Sequence, residues 1–313
     1  RHNLFVFLNH DLGDGREVFA EYGQYQSEYN GNRHSVSHFS SVKFVVPATN
    51  PYNFTGKALL MDNYRFVDAG QRVVDNNKQT DRYLVGVRGE TDDGWDWETA
   101  ASYSVAEAFD VTHNRVSNTL MDALLHRTDE TAYNPFNGAG VYQTGFVSHN
   151  PVDYTPGGIG PAVVDAYRAN ERTMTTLDFR MSKPDVLTIT GGDVGMAFGV
   201  EARNDTFMDD RDPRLDGTIV FTERRTNGQL STSSGDTYPY VSDLANSSPT
   251  PDSDGSRNVN SVYIEFDVPL VSPEMNIPVV EQFDLQLAYR QEAYSDFEGT
   301  GVPRVAFGWV VND

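Results

Sequence analysis

The chain has 313 residues, a formal net charge of −21 and no cysteine. This length corresponds to one large or two ordinary domains, and the missing cysteines exclude disulfides, cysteine-ligated metals and thiol nucleophiles. The excess of 45 Asp and Glu over 24 Lys and Arg argues against a nucleic-acid partner, because phosphate binding needs a cationic surface. No apolar run reaches the ~18 residues of a membrane helix. A membrane barrel is compatible with the mean hydropathy of −0.50, because its strands alternate apolar and polar residues.

Alternation with a period of two predicts about nine antiparallel strands and therefore an all-β chain. In residues 258–270, for example, Val262, Ile264 and Phe266 fall on one face, while Tyr263 and Glu265 fall on the other. The predicted strands, in chain order, are Leu4–Asp11, Glu17–Gln26, Tyr83–Gly89, Trp95–Ala106, Thr175–Ile189, Val194–Arg203, Asn258–Leu270, Phe283–Arg290 and Arg304–Val311.

The connections between these strands differ in length in a regular way. Short turns are predicted at 13–15, 91–94, 191–193 and 272–276, and the intervening connections are long except for the one near 295–301. The long connections, 27–80, 107–172 and 207–257, are expected to carry two short helices, at 117–126 and 162–171. Short turns at one end and long loops at the other are typical of an up-and-down transmembrane barrel. A soluble β-sandwich with one wet face stays open as an alternative.

Three groups of motifs follow one another along nearly the whole chain. The first runs from Val-Pro-Ala-Thr-Asn-Pro-Tyr-Asn-Phe at 46–54 through Arg-Val-Val-Asp-Asn at 72–76 to a strand pair at 83–90 and 94–103. The second is Tyr-Asn-Pro-Phe-Asn at 133–137. The third joins 200–203, 262–270 and 287–297, which contains Tyr-Ser-Asp-Phe, to a proline-started strand at 303–308. In order and spacing these segments resemble the barrel part of TonB-dependent outer-membrane receptors.

The resemblance implies that 1–313 is part of a single barrel domain of about 22 strands, contributing about nine of them with long extracellular loops. The chain begins at Arg1 without Met or an export signal, and we interpret it as an internal segment that lacks the plug domain and the C-terminal strands. The implied location is the outer membrane of a Gram-negative bacterium. The implied partners are outer-membrane lipid, the plug domain, the remaining barrel strands and the inner-membrane TonB complex.

The same resemblance implies import of a scarce small-molecule ligand: siderophore-bound iron, cobalamin or an oligosaccharide. A passive porin-like barrel without energy coupling is an alternative, as is a soluble β-sandwich that binds carbohydrate. The sequence contains no G-x-S-x-G, H-E-x-x-H, P-loop or Rossmann motif, so no enzyme and no cofactor are predicted.

Two sets of residues are candidates for function. Charges on the polar face of the strands are expected to line the barrel lumen, where they could pair across strands without any reaction. Aromatic residues on the long loops are candidate ligand contacts, since the outer loops form the binding site in the resembled family; packing within the loops is the alternative for each. The charges are Arg88, Asp96, Glu98, Glu201, Arg203, Glu265, Asp267 and Arg290, and the loop aromatics are Tyr52, Phe54, Tyr64, Phe66, Phe136 and Tyr142.

Other side chains have a structural interpretation. Trp95, Trp97, Tyr103, Tyr289, Tyr294 and Trp309 fit an aromatic girdle at the membrane interface, or ordinary sheet aromatics. His34 and His38 lack a third ligand, and the sequence around Asp252-Ser-Asp-Gly255 has Thr250 and Ser261 where a calcium loop needs acids. No metal site is therefore predicted. The acidic net charge suits cationic or metal-bridged partners.

Overall fold

The computed structural model describes residues 1–38, 42–136, 151–224, 230–231 and 240–311. Its regular structure is almost entirely β. In chain order the strands are β1 (His2–Gly13), β2 (Arg16–Arg33), β3 (Ser37–His38), β4 (Phe44–Val46), β5 (Leu59–Met61), β6 (Tyr64–Arg65), β7 (Arg72–Glu90), β8 (Asp96–Val116), β9 (Val163–Ile189), β10 (Gly192–Arg211), β11 (Glu223–Arg224), β12 (Leu230–Ser231), β13 (Ser253–Val271), β14 (Gln282–Tyr294) and β15 (Thr300–Val310). The helices are α1 (Asn118–Leu125) and α2 (Pro213–Asp216), with 3-10 turns at Val67–Ala69, Gly160–Ala162 and Pro273–Met275.

Nine long strands form one antiparallel sheet in which every strand pairs with the next long strand along the chain, in the order β1-β2-β7-β8-β9-β10-β13-β14-β15. This up-and-down order confirms the predicted fold class, and all nine predicted strands are present. The sheet is not closed, because β1 and β15 lie at its two edges and do not pair with each other.

The strands are longer than the alternation predicts, and the extra length lies at the end that carries the long loops. The clearest case is β9, which begins at Val163, so the helix predicted over 162–171 is wrong. Residues 163–171 pair with β8, and Arg168 pairs with both Asp110 and Arg211. Ladder pairing with β8, joined by β10 from Arg168 onward, decides the conformation of a stretch whose own propensity is weak.

Because consecutive strands are antiparallel, their connections alternate between the two ends of the sheet. One end carries the turns at 14–15, 91–95, 190–191 and 272–281, and the other carries the loops 34–71, 117–162 and 212–252 and the brief turn 295–299. The predicted segregation of loop length is therefore confirmed. At the first turn Gly13, Asp14 and Gly15 all have positive φ, which glycine adopts without strain.

Neither face of the sheet is covered by a second layer among the described residues. On one face large apolar side chains lie open, and Val262, Leu177 and Phe307 are 50, 58 and 70% exposed. A sandwich would bury these side chains between two sheets. The soluble β-sandwich therefore does not describe this chain. Within the described ranges, no helix is long and apolar enough to cross a membrane.

The buried core lies in the three long loops instead of on the sheet. We call this cluster the loop core. Helix α1, which confirms the helix predicted at 117–126, contributes to it, and its N-cap Ser117 accepts a hydrogen bond from the Leu120 amide. The members of the loop core are Val36, Val42, Phe44, Val46, Met61, Phe66, Ala69, Val116, Met121, Leu124, Leu125, Tyr133, Ile159, Ala162, Phe221, Val241 and Ala245.

Candidate functional site

The eight predicted luminal charges share one face of the sheet, which we call the polar face. Register shows this directly, because Arg88 pairs with Glu98, and Glu98 pairs in turn with Arg180. The same alternation carries Asp96, Glu201, Arg203, Glu265, Asp267 and Arg290 to this face.

Some of these charges form ion pairs across neighbouring strands. The Arg88 guanidinium lies 2.9 Å from Glu17, and the Arg180 guanidinium lies 2.7 Å from Glu98. These four residues line a pocket of about 590 Å³ close to the short turns. Solvent-exposed ion pairs contribute little to stability, so the main effect of these charges is to keep the polar face hydrated.

Of the six remaining luminal candidates, three pair along their own strand. Arg290 donates to Glu292 at 2.8 Å, and Arg203 donates to Asp205 at 3.1 Å and lies 4.0 Å from Glu201. Asp96, Glu265 and Asp267 make no ion pair with another described residue. These residues form a charged wall on the polar face.

The opposite face, which we call the apolar face, carries a row of tyrosines across three strands. Tyr22 and Tyr83 have ring centroids 5.0 Å apart, and Tyr83 and Tyr103 are 6.5 Å apart and stacked. Just beyond them on the loop side, Tyr22 donates to Asp81 at 2.8 Å, and Gln24 donates to the same carboxylate at 3.1 Å. An aromatic row followed by polar groups is the pattern of a membrane–water boundary.

Of the predicted girdle aromatics, Tyr294 is on the other side of the sheet. It pairs with Val259 and donates to Glu292, so it belongs to the polar face. Tyr103, Tyr289 and Trp309 lie on the apolar face and are 43, 46 and 56% exposed.

The loop aromatics divide into packed and exposed residues. Phe66 is fully buried in the loop core, where packing accounts for it. Tyr64 is half-buried against the same core, and its hydroxyl lies 2.9 Å from that of Tyr133. Tyr52 donates to the Glu130 carbonyl at 2.8 Å.

The exposed loop aromatics form a pair. Phe54 is 82% exposed, Phe136 is 43% exposed, and their ring centroids lie 5.1 Å apart. Tyr142 lies outside the described residues. Phe54 and Phe136 are therefore the members of the predicted set that present ring surface to solvent.

Two titratable groups sit in or beside the loop core. Burial lowers the pKa of His38 to about 4, because the ring packs against Phe44 away from water. Burial also raises the pKa of Asp68 to about 6, even though Tyr133 donates to its carboxylate at 3.2 Å. The sequence analysis found no third metal ligand for His34 and His38; in the fold His38 is a buried core side chain, whereas His34 is exposed.

Metal binding finds no support in the described side chains, where no cluster of three or more His, Asp or Glu could hold an ion. Residues 208–216 are rich in Asp, and one of these carboxylates is paired with arginines, since Asp209 accepts from both Arg168 and Arg211.

Asp243 was missed by the sequence analysis. It is 1% exposed and accepts hydrogen bonds from the Ser117 hydroxyl and the Thr119 amide, both at 2.7 Å, while the Arg214 Nε lies 3.4 Å away. No local sequence signal marks it, because its partners on α1 are distant along the chain.

No protein-family model and no curated protein matches the chain. Among solved structures, it is similar to the FpvAI–pyocin S2 complex, with 11% identity, a TM-score of 0.51 and coverage of 99% of this chain and 34% of the matched chain. A second is the outer membrane transporter YddB from Escherichia coli, with 10% identity, a TM-score of 0.30 and coverage of 98% and 36%. The chain thus spans about a third of the length of the structures it matches. The second likeness is too slight to carry an argument.

The first likeness concerns the fold, which is that of a barrel wall built from consecutive antiparallel strands. At 11% identity this likeness shows the fold alone, and that fold is the one expected from the sequence motifs.

Proposed function

We propose that this chain forms part of the wall and the outer loops of a TonB-dependent receptor in the outer membrane of a Gram-negative bacterium, and that the receptor imports a small-molecule ligand. The observation that carries this proposal is the two-sided sheet. Its apolar face is open along every central strand, and its polar face is lined with charges. A sheet of this kind is stable where one face meets hydrocarbon and the other meets water.

The apolar face has the composition that hydrocarbon requires. On β10, β13, β14 and β15 it carries no charge between the tyrosine level and the short turns. The side chains there are Met196, Phe198, Val200, Val262, Ile264, Phe266, Val268, Phe283, Leu285, Leu287, Tyr289, Val305, Phe307 and Trp309. A charge in such a band is destabilising by about 2–4 kcal/mol at the bilayer midplane, so its absence across four strands supports a lipid-facing surface.

In this proposal the polar face lines the lumen, where it meets a plug domain, and the remaining strands extend the sheet beyond β1 and β15. The long loops form the outer surface, and the exposed rings of Phe54 and Phe136 are the proposed contacts for an incoming ligand. The complex of FpvAI with pyocin S2 supports a surface that also receives proteins. Siderophore-bound iron, cobalamin and oligosaccharides are the proposed ligand classes, and the energy comes from the inner-membrane TonB complex.

Cysteine labelling tests the orientation, and the 313 residues contain no cysteine of their own that would react. The variants Val262→Cys, Ile264→Cys and Phe266→Cys are placed singly in the complete polypeptide in outer membranes. We expect them to react with a maleimide that partitions into lipid. The matched controls Tyr263→Cys and Glu265→Cys lie on the same strand and point to the other face, so they should react only with a water-soluble maleimide.

Equal protection of both sets from both reagents would show that the apolar face is covered by protein. That result would overturn the membrane assignment.

A further inference from the structure

The polar face carries a second pocket, of about 720 Å³, at the end of the sheet where the long loops begin. Leu215 and Leu244 of the loop 212–252 also line it. Pockets that hold small molecules have about this volume and combine apolar walls with a few charged groups. We call this site the basic pocket. Besides Arg1, the charged residues that line it lie on its wall strands and are Arg33, Lys78, Asp110, Arg115, Arg168 and Arg211.

The charge of the basic pocket is opposite to that of the whole chain. Its wall strands contribute five cations and one carboxylate, in a chain whose formal charge is −21. Arg168 and Arg211 each form an ion pair with Asp209, at 2.8 and 2.6 Å. Arg33, Lys78 and Arg115 form no ion pair with any carboxylate in the described ranges.

Two arginines of the basic pocket, Arg33 and Arg115, lie near a third arginine, Arg72, and no carboxylate in the described ranges forms an ion pair with them. Arg33 and Arg72 are directly opposite each other on β2 and β7, a placement that destabilises a sheet when the charges are alike. Arg115 on β8 is repelled by both Arg33 and Arg72. Like charges placed this close destabilise the fold, which points to a role other than stability for the cluster.

A break in β8 aims Arg115 at this pocket. The register shifts between Thr112 and Arg115, where Asn114 has a φ of 58°. Before the shift even-numbered residues of β8 lie on the polar face, so a regular strand would turn Arg115 to the apolar face. The bulge restores it to the polar side, opposite Val164, and bulges that redirect a side chain are common beside functional sites.

The side chain of Arg115 is only partly used by the protein. Its Nη2 donates to the Ala245 carbonyl at 3.2 Å and to the Ser247 hydroxyl, whereas its Nε is buried without a partner among the described atoms. A buried guanidinium with a free donor is an incomplete anion site.

We propose that the basic pocket binds a multiply charged anionic small molecule through carboxylate or phosphate groups that contact Arg33, Lys78 and Arg115. This inference rests on the proposed receptor function and names the chemical class of its ligand. The bound anion supplies the negative charge that Arg33, Lys78 and Arg115 lack, so binding reduces the repulsion between the arginines.

The test uses isothermal titration of the complete polypeptide in detergent micelles at low ionic strength. Pyrophosphate and tricarballylate serve as probes, and they distinguish phosphate from carboxylate recognition. We expect at least one to bind, with an affinity that falls as salt is added. Arg33→Gln and Arg115→Gln should each weaken binding roughly tenfold, the loss of one charge-assisted contact.

The control is Arg257→Gln, which removes an arginine from the same face and the same end of the sheet. Arg257 already pairs with Asp296 at 2.8 Å and lies outside the pocket, so the affinity should stay unchanged. Thermal unfolding gives an independent readout. Without probe, Arg33→Gln should raise the unfolding temperature by relieving its repulsion with Arg72, and added probe should stabilise the parent more than the variant.

Absence of binding by either probe, or equal affinity in Arg33→Gln and the parent, overturns the anion site. A lower unfolding temperature for Arg33→Gln with unchanged affinity also overturns it, because the arginine would then pair with another part of the polypeptide. Cysteine labelling reports separately on membrane orientation, so an anion site that fails in a correctly oriented barrel leaves the receptor proposal standing.

Discussion

At the scale of single residues, His38 and Asp68 make opposite contributions to the pH dependence of the loops. The folded pKa of His38 is about 4, below its ordinary 6.5, so its contribution to stability is complete above pH 6.5 and is lost as the pH falls toward 4. The folded pKa of Asp68 is about 6, above its ordinary 3.8, so its contribution is complete below 3.8 and is lost as the pH rises through 6. The two effects oppose each other in the same window.

Replacing His38 should uncover the effect of Asp68. In His38→Phe the new ring packs against Phe44 and Phe66 without a proton to bind. We expect loop stability to decrease by about 1–2 kcal/mol as the pH rises from 4 to 7, a size reduced by the partial exposure of Asp68. In the parent, loop stability should be nearly independent of pH over the same range. Hydrogen exchange of the loop amides, corrected for intrinsic rates, measures this.

Two further variants make the assignment specific. His34→Gln changes an exposed histidine near the core and should keep the flat profile of the parent. The double variant His38→Phe with Asp68→Asn should regain a flat profile. A slope that survives in the double variant would assign the pH dependence to other groups.

At the scale of elements, the start of α1 is tied to the loop 212–252. Asp243 accepts from the Ser117 hydroxyl and the Thr119 amide, and its own carbonyl accepts from the Asn118 amide at 2.7 Å. A carboxylate at a helix N-terminus is stabilised by unpaired amides and the helix dipole. This contact connects the second long loop to the third.

Removing that carboxylate should loosen both loops together. Asp243→Ala leaves the Arg214 guanidinium, the Ser117 hydroxyl and the Thr119 amide without their acceptor, which costs about 3 kcal/mol for a buried pair. Cleavage of the loops 117–162 and 212–252 by protease should then be roughly a hundredfold faster. Asp243→Asn keeps an acceptor for the Thr119 amide and should show a clearly smaller increase. Unchanged cleavage in Asp243→Ala would contradict this connection between the two loops.

Alternation predicted the long strands because it is a local property of neighbouring residues. It failed where pairing partners decide the structure, as in residues 163–171 of β9, which are strand because β8 and β10 flank them. The bulge that places Arg115 on the polar face could not be predicted either, because Asn114 is one of many asparagines and only the strand register reveals its effect. The charges of the polar face could be predicted, whereas the basic pocket required the order of the strands.

At the scale of the whole molecule, the loop core explains why the loop aromatics were hard to rank from sequence. Its contacts join three loops, and Asn246 reaches Ser37 across 209 positions. Contacts between residues so far apart in the chain leave no periodic pattern in the sequence. Phe66 and Phe54 are both aromatic residues in one polar loop, yet the first is fully buried and the second is 82% exposed.

The edges of the sheet lead to the last prediction. Every residue of β1 is exposed, and the strand is apolar on both faces, with Val6 and Leu8 on one side and Phe5 and Phe7 on the other. Its outer row of backbone groups has no partner among the described strands. Unpaired backbone groups are strongly unfavourable in hydrocarbon, because no water is present to bind them.

We therefore expect the 313-residue chain, expressed alone and placed in detergent micelles, to give no compact band whose gel mobility changes on heating. The complete polypeptide should give one, because closure pairs both edges and covers Phe5 and Phe7. Co-expression of the chain with the rest of the polypeptide as a separate fragment is the sharper form of the experiment. It should restore the compact band if β1 and β15 pair with strands of that fragment. A compact, heat-sensitive band from the chain alone would mean that its own two edges can meet, and the barrel would then be a small one built from these nine strands.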